Sequence, residues 1–199
     1  MTIPRFYVPG PWASDRITFP EKASHHAMRV LRMRNGDEAE VFDGEGRTAR
    51  GRTEFSSEGT VLIAESYPEH GRESPLFITL AQAFVSPDKM EWITEKAVEA
   101  GASRIVFFPA ARSVTKLSGD KLTKRLEKLR ATAVSACEQC GRSRIPEIET
   151  FASAEAMLSG LNADARVILA PSSDPGLALG AARSVVFAVG PEGGFSEEE

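Results

Sequence analysis

The sequence predicts a fold in two parts: a small β-barrel over residues 1–72, then an α/β domain with a largely parallel sheet over residues 73–199. Three observations support this prediction. Short strand candidates separated by turn residues fill the first part, and residues 67–75, rich in Pro, Gly and charge, read as a linker. Beyond the linker, strands alternate with helices, which is typical of a parallel sheet.

The first part contains five strand candidates and one helix. The strands are predicted at 5–8, 17–19, 38–42, 48–55 and 60–66, with turns at 43–46 and 56–59. The helix is predicted from Ser24 to Arg34, ended by Asn35, Gly36 and Asp37. Several short strands joined by turns favour a small barrel.

The helix of the first part is rich in cationic side chains. It carries His25, His26, Arg29, Arg32 and Arg34 within ten residues. Such side chains can clamp phosphates or stack on bases, and Arg5 from the first strand could join them. The alternative is an exposed helix whose charges only interact with solvent.

The second part alternates strands and helices. Strands are predicted at 76–84, 104–109, 166–170 and 184–190, the last two buried, and helices at 88–100, 120–140 and 153–158, the first of them capped by Asp88. Ligands of parallel sheets bind outside the carboxyl ends of the strands. The turns that follow Leu169 and Gly190 are therefore expected to face one crevice.

A glycine-rich break follows the last strand. Five apolar residues, Val185 to Val189, run into Gly190-Pro191-Glu192-Gly193-Gly194, and Ser196 with three Glu residues predicts a helix start. Glycines here let backbone approach a ligand closely, although a tight strand-to-helix connection would look the same. The spacing matches neither the dinucleotide fingerprint nor the P-loop.

Composition is that of a globular protein, with 42% hydrophobic and 26% charged residues. The net charge of −4 is unevenly distributed, since residues 89–144 hold 12 Lys and Arg against 6 Asp and Glu. A basic middle could bind a phosphate backbone or form a solvated helix face. We expect the pair Cys137 and Cys140 to be reduced, and we expect no metal site. The sequence contains neither a membrane-spanning run nor a signal peptide, so we expect a cytoplasmic protein.

Four separated motifs give a family resemblance. They are His26-Ala27-Met28-Arg29-Val30-Leu31-Arg32 with Gly36-Asp37, Lys89-Met90-Glu91-Trp92-Ile93 with Glu95-Lys96-Ala97 and Glu99-Ala100-Gly101, Glu138-Gln139-Cys140-Gly141-Arg142 with Ile145-Pro146, and Gly190 to Ser196. In this order the sequence resembles the RsmE family, knotted SPOUT methyltransferases that use S-adenosylmethionine to methylate N3 of a uridine in 16S ribosomal RNA of the small subunit.

The resemblance implies a PUA-like RNA-binding barrel before a SPOUT domain with a trefoil knot, working as a homodimer. It also implies that the family continues beyond the glycine-rich loop. We therefore expect that this sequence is cut short at Glu199, that its knot is incomplete, and that it binds cofactor poorly.

The resemblance also implies roles for individual residues. Catalytic candidates, for charge stabilisation or phosphate contact, are Arg142 and Arg144, with no general base named. Cofactor-binding candidates are Leu169, Ala170, Gly190, Glu192, Gly193 and Gly194. RNA-binding candidates are Arg5, His26, Arg29, Arg32 and Lys89. The alternatives are a non-catalytic RNA-binding protein and, more remotely, a small-molecule enzyme that uses the same crevice.

Overall fold

The structure, a computed structural model, describes residues 3–69, 73–169 and 179–199. The chain forms two compact units, one comprising Met1–Glu73 and Cys137–Ile145, the other Ser74–Ala136 and Pro146–Glu199. The predicted domain boundary at residue 72 lies outside the described residues and stays a prediction. Segment 137–145 was predicted to belong to the second part, but it belongs to the first unit. The prediction failed because helix periodicity does not reveal what the end of a helix packs against.

The first unit is built on a five-stranded sheet. Its strands are β1 (Arg5–Tyr7), β2 (Arg16–Thr18), β3 (Glu38–Phe42), β4 (Thr48–Ser56) and β5 (Gly59–Ser66), in the order β1-β3-β4-β5-β2. β1 pairs with β3 in parallel, and the other neighbours are antiparallel. All five predicted strands are confirmed, with ends within two residues of the prediction. The closed barrel stays a prediction.

Buried and more exposed residues alternate along β1, β2 and most of β4, so one face of the sheet is buried. The core of the first unit contains Phe6, Ile17, Ala39, Val41 and Leu62, each no more than 2% exposed. Each buried Ile or Leu side chain contributes about 1.5–3 kcal/mol.

The helix of the first unit is irregular, and it begins at Glu21 and ends at Val30 rather than running from Ser24 to Arg34 as predicted. It consists of α1 (Glu21–His25) and a π-helical turn (His26–Val30), in which Leu31 N donates to His26 O at 3.0 Å. The prediction that it extends to Arg34 is wrong. Arg32, with a φ of 54°, turns the chain into the left-handed region and ends the helix before Asn35.

The second unit is a parallel sheet with helical crossovers. Its strands are β6 (Phe77–Ala83), β7 (Arg104–Phe108), β8 (Glu147–Thr150), β9 (Ala165–Leu169) and β10 (Ser184–Val189), in the order β8-β7-β6-β10-β9. Its helices are α2 (Pro87–Glu99), α3 (Gly119–Cys140), whose end from Cys137 belongs to the first unit, and α4 (Ala154–Gly160). Every strand pair in this sheet is parallel, so the α/β prediction is confirmed.

The strand order creates a switch point beside β6. The chain runs outward from β6 through β7 to β8, then crosses to β9 and returns through β10 to the other side of β6. At such a point the loops leaving neighbouring strands diverge and open a crevice at the carboxyl edge. The glycine-rich segment after β10 starts at this crevice.

Three local predictions for the second unit are wrong, and one strand was missed. β8 was not predicted, since four residues give too short a pattern. β9 was predicted to be buried, but Ile168 and Leu169 are about half exposed because β9 is the edge strand of the described sheet. The N-cap position of α2 is Ser86 rather than Asp88, because Pro87 occupies the first turn. Residues 196–199 are not helical.

Candidate functional site

The segment from Gly190 to Ser196, here called the glycine loop, leaves the sheet between two neighbouring strand ends. Val189, the last residue of β10, is paired with Leu169 of β9 and with Gln82 of β6. Paired parallel strands lie about 4.8 Å apart. The ends of β9 and β10 therefore share one edge, as the sequence predicted, while Ala170 lies outside the described residues.

Close packing explains why this loop needs glycine. A Cβ added at Gly190 would lie 3.2 Å from Gly194 C and from Phe195 N, so the backbone of the loop would have to shift to admit it. Gly194 has a φ of +70°, in the left-handed region, and its N–H donates to Pro191 O at 2.9 Å. The loop is therefore a tight turn, exposed at Glu192 and Gly193 and partly exposed at Gly190 and Gly194.

A buried glutamine fixes the start of the loop. Gln82 is 4% exposed, and its Nε2 donates to Gly190 O at 3.1 Å and to Ala83 O at 3.0 Å. These bonds satisfy two carbonyl groups at the crevice, which would otherwise be costly to bury. Gln82 thus ties the glycine loop to the central strand.

Two cationic side chains hold the outer part of the loop. Lys89 Nζ lies 2.8 Å from Glu192 Oε1, and Arg112 Nη1 donates to Gly193 O at 3.0 Å. The hydrogen bond from Lys89 lowers the pKa of the Glu192 carboxyl, although the group is exposed. The structure therefore brings together Lys89, predicted to bind RNA, and Glu192, predicted to bind cofactor.

The far end of the loop is anchored by Glu199. Its carboxylate accepts hydrogen bonds from Ala111 N at 2.8 Å and from Ser196 N at 3.1 Å. The two bonds tie the segment after the loop to the residues that follow β7. Burial raises the pKa of the Glu199 carboxyl, but hydrogen bonds from Ser196 and Ala111 and the charge of Arg112 together outweigh it, and the pKa is lowered.

An apolar surface adjoins the loop. Phe195 stacks on Phe108 with ring centroids 6.4 Å apart and an interplanar angle of 6°. Ile168 and Leu169 are 51% and 50% exposed at the end of β9. Close backbone approach beside exposed apolar side chains suits a ligand that has both a flat ring and polar groups.

Arg142, a catalytic candidate, is held inside the first unit. It is 5% exposed, and its Nε and Nη2 donate to Glu73 Oε2 at 3.0 and 2.8 Å. The other oxygen of Glu73 accepts from the backbone N–H groups of Ser143 and Arg144, both at 3.0 Å. Burial raises the pKa of the Glu73 carboxyl, but these hydrogen bonds outweigh it and lower that pKa.

Arg144, the second catalytic candidate, is exposed. A Cβ at Gly46 would come within 3.0 Å of Arg144 Nε, so its guanidinium lies over the turn between β3 and β4. Ile145 N donates to Gly44 O at 2.9 Å, which fixes the segment beside that turn. Of the two candidates, Arg144 is the one whose side chain solvent can reach.

The predicted RNA-contact residues of the first unit divide into two groups. Arg5 is largely buried: its Nε lies 3.2 Å from Glu40 Oε1 and its guanidinium sits 5.2 Å from the centre of the Phe42 ring. Its arrangement is that of a structural residue. His26, Arg29 and Arg32 are exposed along the π-helical turn and the residues after it.

Cys137, at the end of α3, is a buried thiol. Burial raises the pKa of the Cys137 thiol to about 12, so this thiol stays protonated. Among the described residues, no group of three or more His, Cys, Asp or Glu side chains is placed to hold a metal ion. In the same residues no helix combines the length and apolarity needed to cross a lipid bilayer.

Three residues that position the candidate site were missed in the sequence. Gln82 lies inside an apolar strand, Arg112 lies in an irregular loop, and Glu73 lies in the predicted linker. Each acts on residues more than 60 positions away, and local patterns carry no signal for such partners. Only the polarity of Gln82 in a buried strand could have singled it out.

Comparison with known proteins gives a consistent result. Residues 72–199 match the RNA methyltransferase domain family, and residues 19–64 match the RNA methyltransferase PUA domain family. The chain is 32% identical over 190 residues to the ribosomal RNA small subunit methyltransferase E of Bacillus subtilis, covering 88% of this chain and 73% of that protein. It is 32% identical over 186 residues to the Mycobacterium bovis protein of the same name, covering 87% and 70%.

Solved structures of similar proteins contain a bound cofactor. A methyltransferase from Legionella pneumophila, solved with bound SAM, is 28% identical with a TM-score of 0.91, covering 100% of this chain and 84% of that chain. The ribosomal RNA small subunit methyltransferase E of Neisseria gonorrhoeae, bound to S-adenosyl methionine, is 28% identical with a TM-score of 0.87, covering 99% and 83%. On the domain match over 72–199 and the sequence identity over most of its length, the chain belongs to the RsmE family of RNA methyltransferases.

Proposed function

We propose that this protein uses S-adenosylmethionine to methylate 16S ribosomal RNA of the small subunit, at N3 of a uridine. The main support is the glycine loop at the switch point of a parallel sheet, in a chain whose relatives are named ribosomal RNA small subunit methyltransferase E. The second unit carries out the transfer, and the PUA-like first unit contacts the RNA.

The residues at the sheet edge fit the cofactor. Gly193 is exposed and a Cβ built at Gly194 meets no atom within 4 Å, so a ligand can approach the backbone there, whereas Gly190 lets the loop fold closely on itself, since a Cβ at Gly190 would meet Gly194 C at 3.2 Å. Leu169 offers an exposed apolar side chain beside them. We assign these residues to cofactor binding with Ala170, which lies outside the described residues, and with Glu192, whose carboxylate Lys89 orients.

The cofactor, when bound, supplies a methyl group on a positively charged sulfur. Transfer of that methyl group to uridine N3 would break its carbon–sulfur bond, leave the sulfur as a neutral thioether and release the N3 proton to solvent water. The protein contributes positioning and electrostatic stabilisation of the negative charge on the uracil carbonyl oxygens. A rigid glycine loop, tied at Gly190 by Gln82 and at Gly193 by Arg112, suits that role.

Arg142 and Arg144 remain our candidates for stabilising that charge or holding a phosphate. The exposed Arg144 can reach RNA directly, whereas Arg142 acts through the segment that it fixes to Glu73. For RNA contact we propose His26, Arg29, Arg32 and Lys89, all exposed, while Arg5 supports the strand behind them.

The remaining features of this proposal follow from the family. They are a SPOUT domain with a trefoil knot, a closed PUA-like barrel, a homodimer and a cytoplasmic location. Sedimentation of the full chain tests the homodimer, because a monomer at micromolar concentration would contradict it.

A methyl-transfer assay tests the proposed function. The full chain is incubated with labelled S-adenosylmethionine and purified small subunits or their free RNA, and the modified nucleoside is identified by mass spectrometry. We expect label in 16S RNA as N3-methyluridine. RNA binding without cofactor binding or transfer would instead support the alternative, a non-catalytic RNA-binding protein.

A further inference from the structure

A cleft in the first unit lies beside the π-helical turn. It has a volume of about 450 Å³ and is lined by Met28, Arg29, Met33, Arg34, Asn35 and Phe55. Sites for small molecules span about 300–1,000 Å³, so the cleft is large enough for a nucleotide-sized group. We call it the Met28 cleft.

Hydrogen bonds fix the wall of this cleft. Asn35 Oδ1 accepts from Phe55 N at 2.6 Å, Arg34 N donates to Asp37 Oδ2 at 2.7 Å, and Thr53 Oγ1 donates to Arg34 O at 3.2 Å. The segment that carries Arg34 and Asn35 is therefore held against β4 before any ligand arrives. Such preorganisation reduces the entropy that a ligand must offset on binding.

The backbone at the mouth of the cleft is irregular. The π-helical turn His26–Val30 leads directly to Arg32, a non-glycine residue with a φ of 54°. π-Helical turns and left-handed non-glycine residues both cluster at functional sites. Here they leave Met28, Val30 and Leu31 exposed by 37%, 63% and 44%, so these apolar side chains add little to the core.

The arginines around the cleft differ from the others on the same unit. Arg16, Arg50 and Arg52 each form an ion pair, with Glu54, Glu38 and Glu65 respectively, at 2.9 to 3.3 Å. In the part of the chain that the structure describes, the guanidinium groups of Arg29, Arg32 and Arg34 have no such partner. Unpaired arginines beside exposed apolar side chains are suited to an external group that is both flat and anionic.

We propose that the Met28 cleft binds one unstacked base of single-stranded RNA, with the neighbouring phosphates on Arg29 and Arg34. The base lies against the Met28 and Phe55 side chains, and the guanidinium groups pair with phosphate oxygens. Unpaired bases in loops can be splayed out in this way, whereas bases in a duplex cannot. This inference rests on the proposed function and adds to it that the first unit reads an unpaired nucleotide.

The test measures binding of the full chain to an oligouridine of about ten nucleotides, within the site size of single-strand binders. A strand of the same length with abasic sugars in place of the nucleosides is the matched ligand. Three variants are compared at several salt concentrations: Met28→Ala, Arg34→Ser and, as a control, Arg50→Ser, which removes an arginine that is paired with Glu38.

We expect the abasic strand to bind roughly 5- to 150-fold more weakly than oligouridine, the range for loss of a stacked base. Met28→Ala should reduce that difference without changing the salt dependence. Arg34→Ser should lower the slope of log affinity against log salt by about 0.7, the value for one phosphate contact on a single strand. Arg50→Ser should leave the slope unchanged.

Equal binding of the two strands, or an Arg34→Ser slope equal to that of Arg50→Ser, overturns the inference. Cofactor binding and methyl transfer, measured on the same preparations, separate this result from the proposed function. If the parent chain transfers methyl groups while the variants bind oligouridine unchanged, the cleft inference alone is wrong. If the parent neither binds RNA nor transfers methyl groups, both are wrong.

Discussion

Replacing Gly194 by alanine isolates the contribution of the loop conformation to cofactor binding. The φ of Gly194 is +70°, and a Cβ built there meets no atom within 4 Å, so the substitution adds backbone strain without a clash. An alanine in the left-handed region costs roughly 1–2 kcal/mol. If this strain moves the loop, affinity for S-adenosylmethionine should fall about 5- to 30-fold, because about 1.4 kcal/mol corresponds to tenfold.

Gly36→Ala is the matched control for this experiment. Gly36 has a φ of +85°, also with no atom within 4 Å of a built Cβ, but it lies in the first unit. Both variants should lower the melting temperature by roughly 2–8 °C. Calorimetric titration should show weaker cofactor binding for Gly194→Ala only. If Gly194→Ala melts earlier but binds S-adenosylmethionine like the parent, the loop is only a tight connection and the reasoning is refuted.

Two further predictions concern ionisable groups of the first unit. Arg142→Ala should destabilise the protein by about 3–5 kcal/mol in denaturant unfolding, since it leaves Glu73 without its charge partner, whereas Arg50→Ala should cost less than about 1 kcal/mol. Similar losses for the two variants would show that the Arg142 pair is not structural. Glu138, which accepts from Tyr7 N at 3.0 Å, has a pKa raised above its ordinary 4.5 by burial. Because its pKa is higher in the folded protein than in the unfolded chain, the protonated Glu138 favours folding. This contribution to stability is lost as the pH rises through the pKa of the folded protein. The stability of Glu138→Gln relative to the parent should therefore increase between about pH 4 and pH 7 in thermal melts, and a decrease would contradict the assignment.

The architecture of the second unit could be predicted because its strands are strongly apolar. In the run Val185 to Val189, which was predicted to be buried, Val185, Val186 and Ala188 are buried while Phe187 and Val189 are half-buried, and the glycines after the run mark where the strand ends. In contrast, the residues of β9 are also largely apolar, yet β9 is the edge strand of the described sheet. Strand order depends on pairings between distant segments, and local hydrophobicity does not encode them.

Only the backbone features of the candidate site could be predicted from the sequence. The positions of Gly190 and Gly194 follow from turn chemistry, which is local. The groups that hold the loop, Gln82 and Arg112, come from other strand ends 108 and 81 positions away. The sequence therefore indicates where a ligand could approach, and the fold determines which side chains hold that surface in place.

For the basic helix of the first unit, too, the sequence indicates a possible contact while the fold determines which side chains are available for it. Its cationic composition indicated nucleic-acid contact, and Arg29 and Arg32 are exposed. Arg5 was grouped with them because it is cationic, yet Glu40 and the ring of Phe42 hold it in the first unit. Long-range pairing decides whether an arginine is available to a ligand, and the sequence does not reveal it.

The most direct test of the central claim is to locate the cofactor on the isotopically labelled full chain by amide NMR during titration with S-adenosylmethionine. The account predicts saturable shifts centred on Leu169, Gly190, Gly193 and Gly194, with residues of the first unit such as Gly36 unchanged. Shifts confined to the first unit, with the glycine loop unaffected, would contradict it.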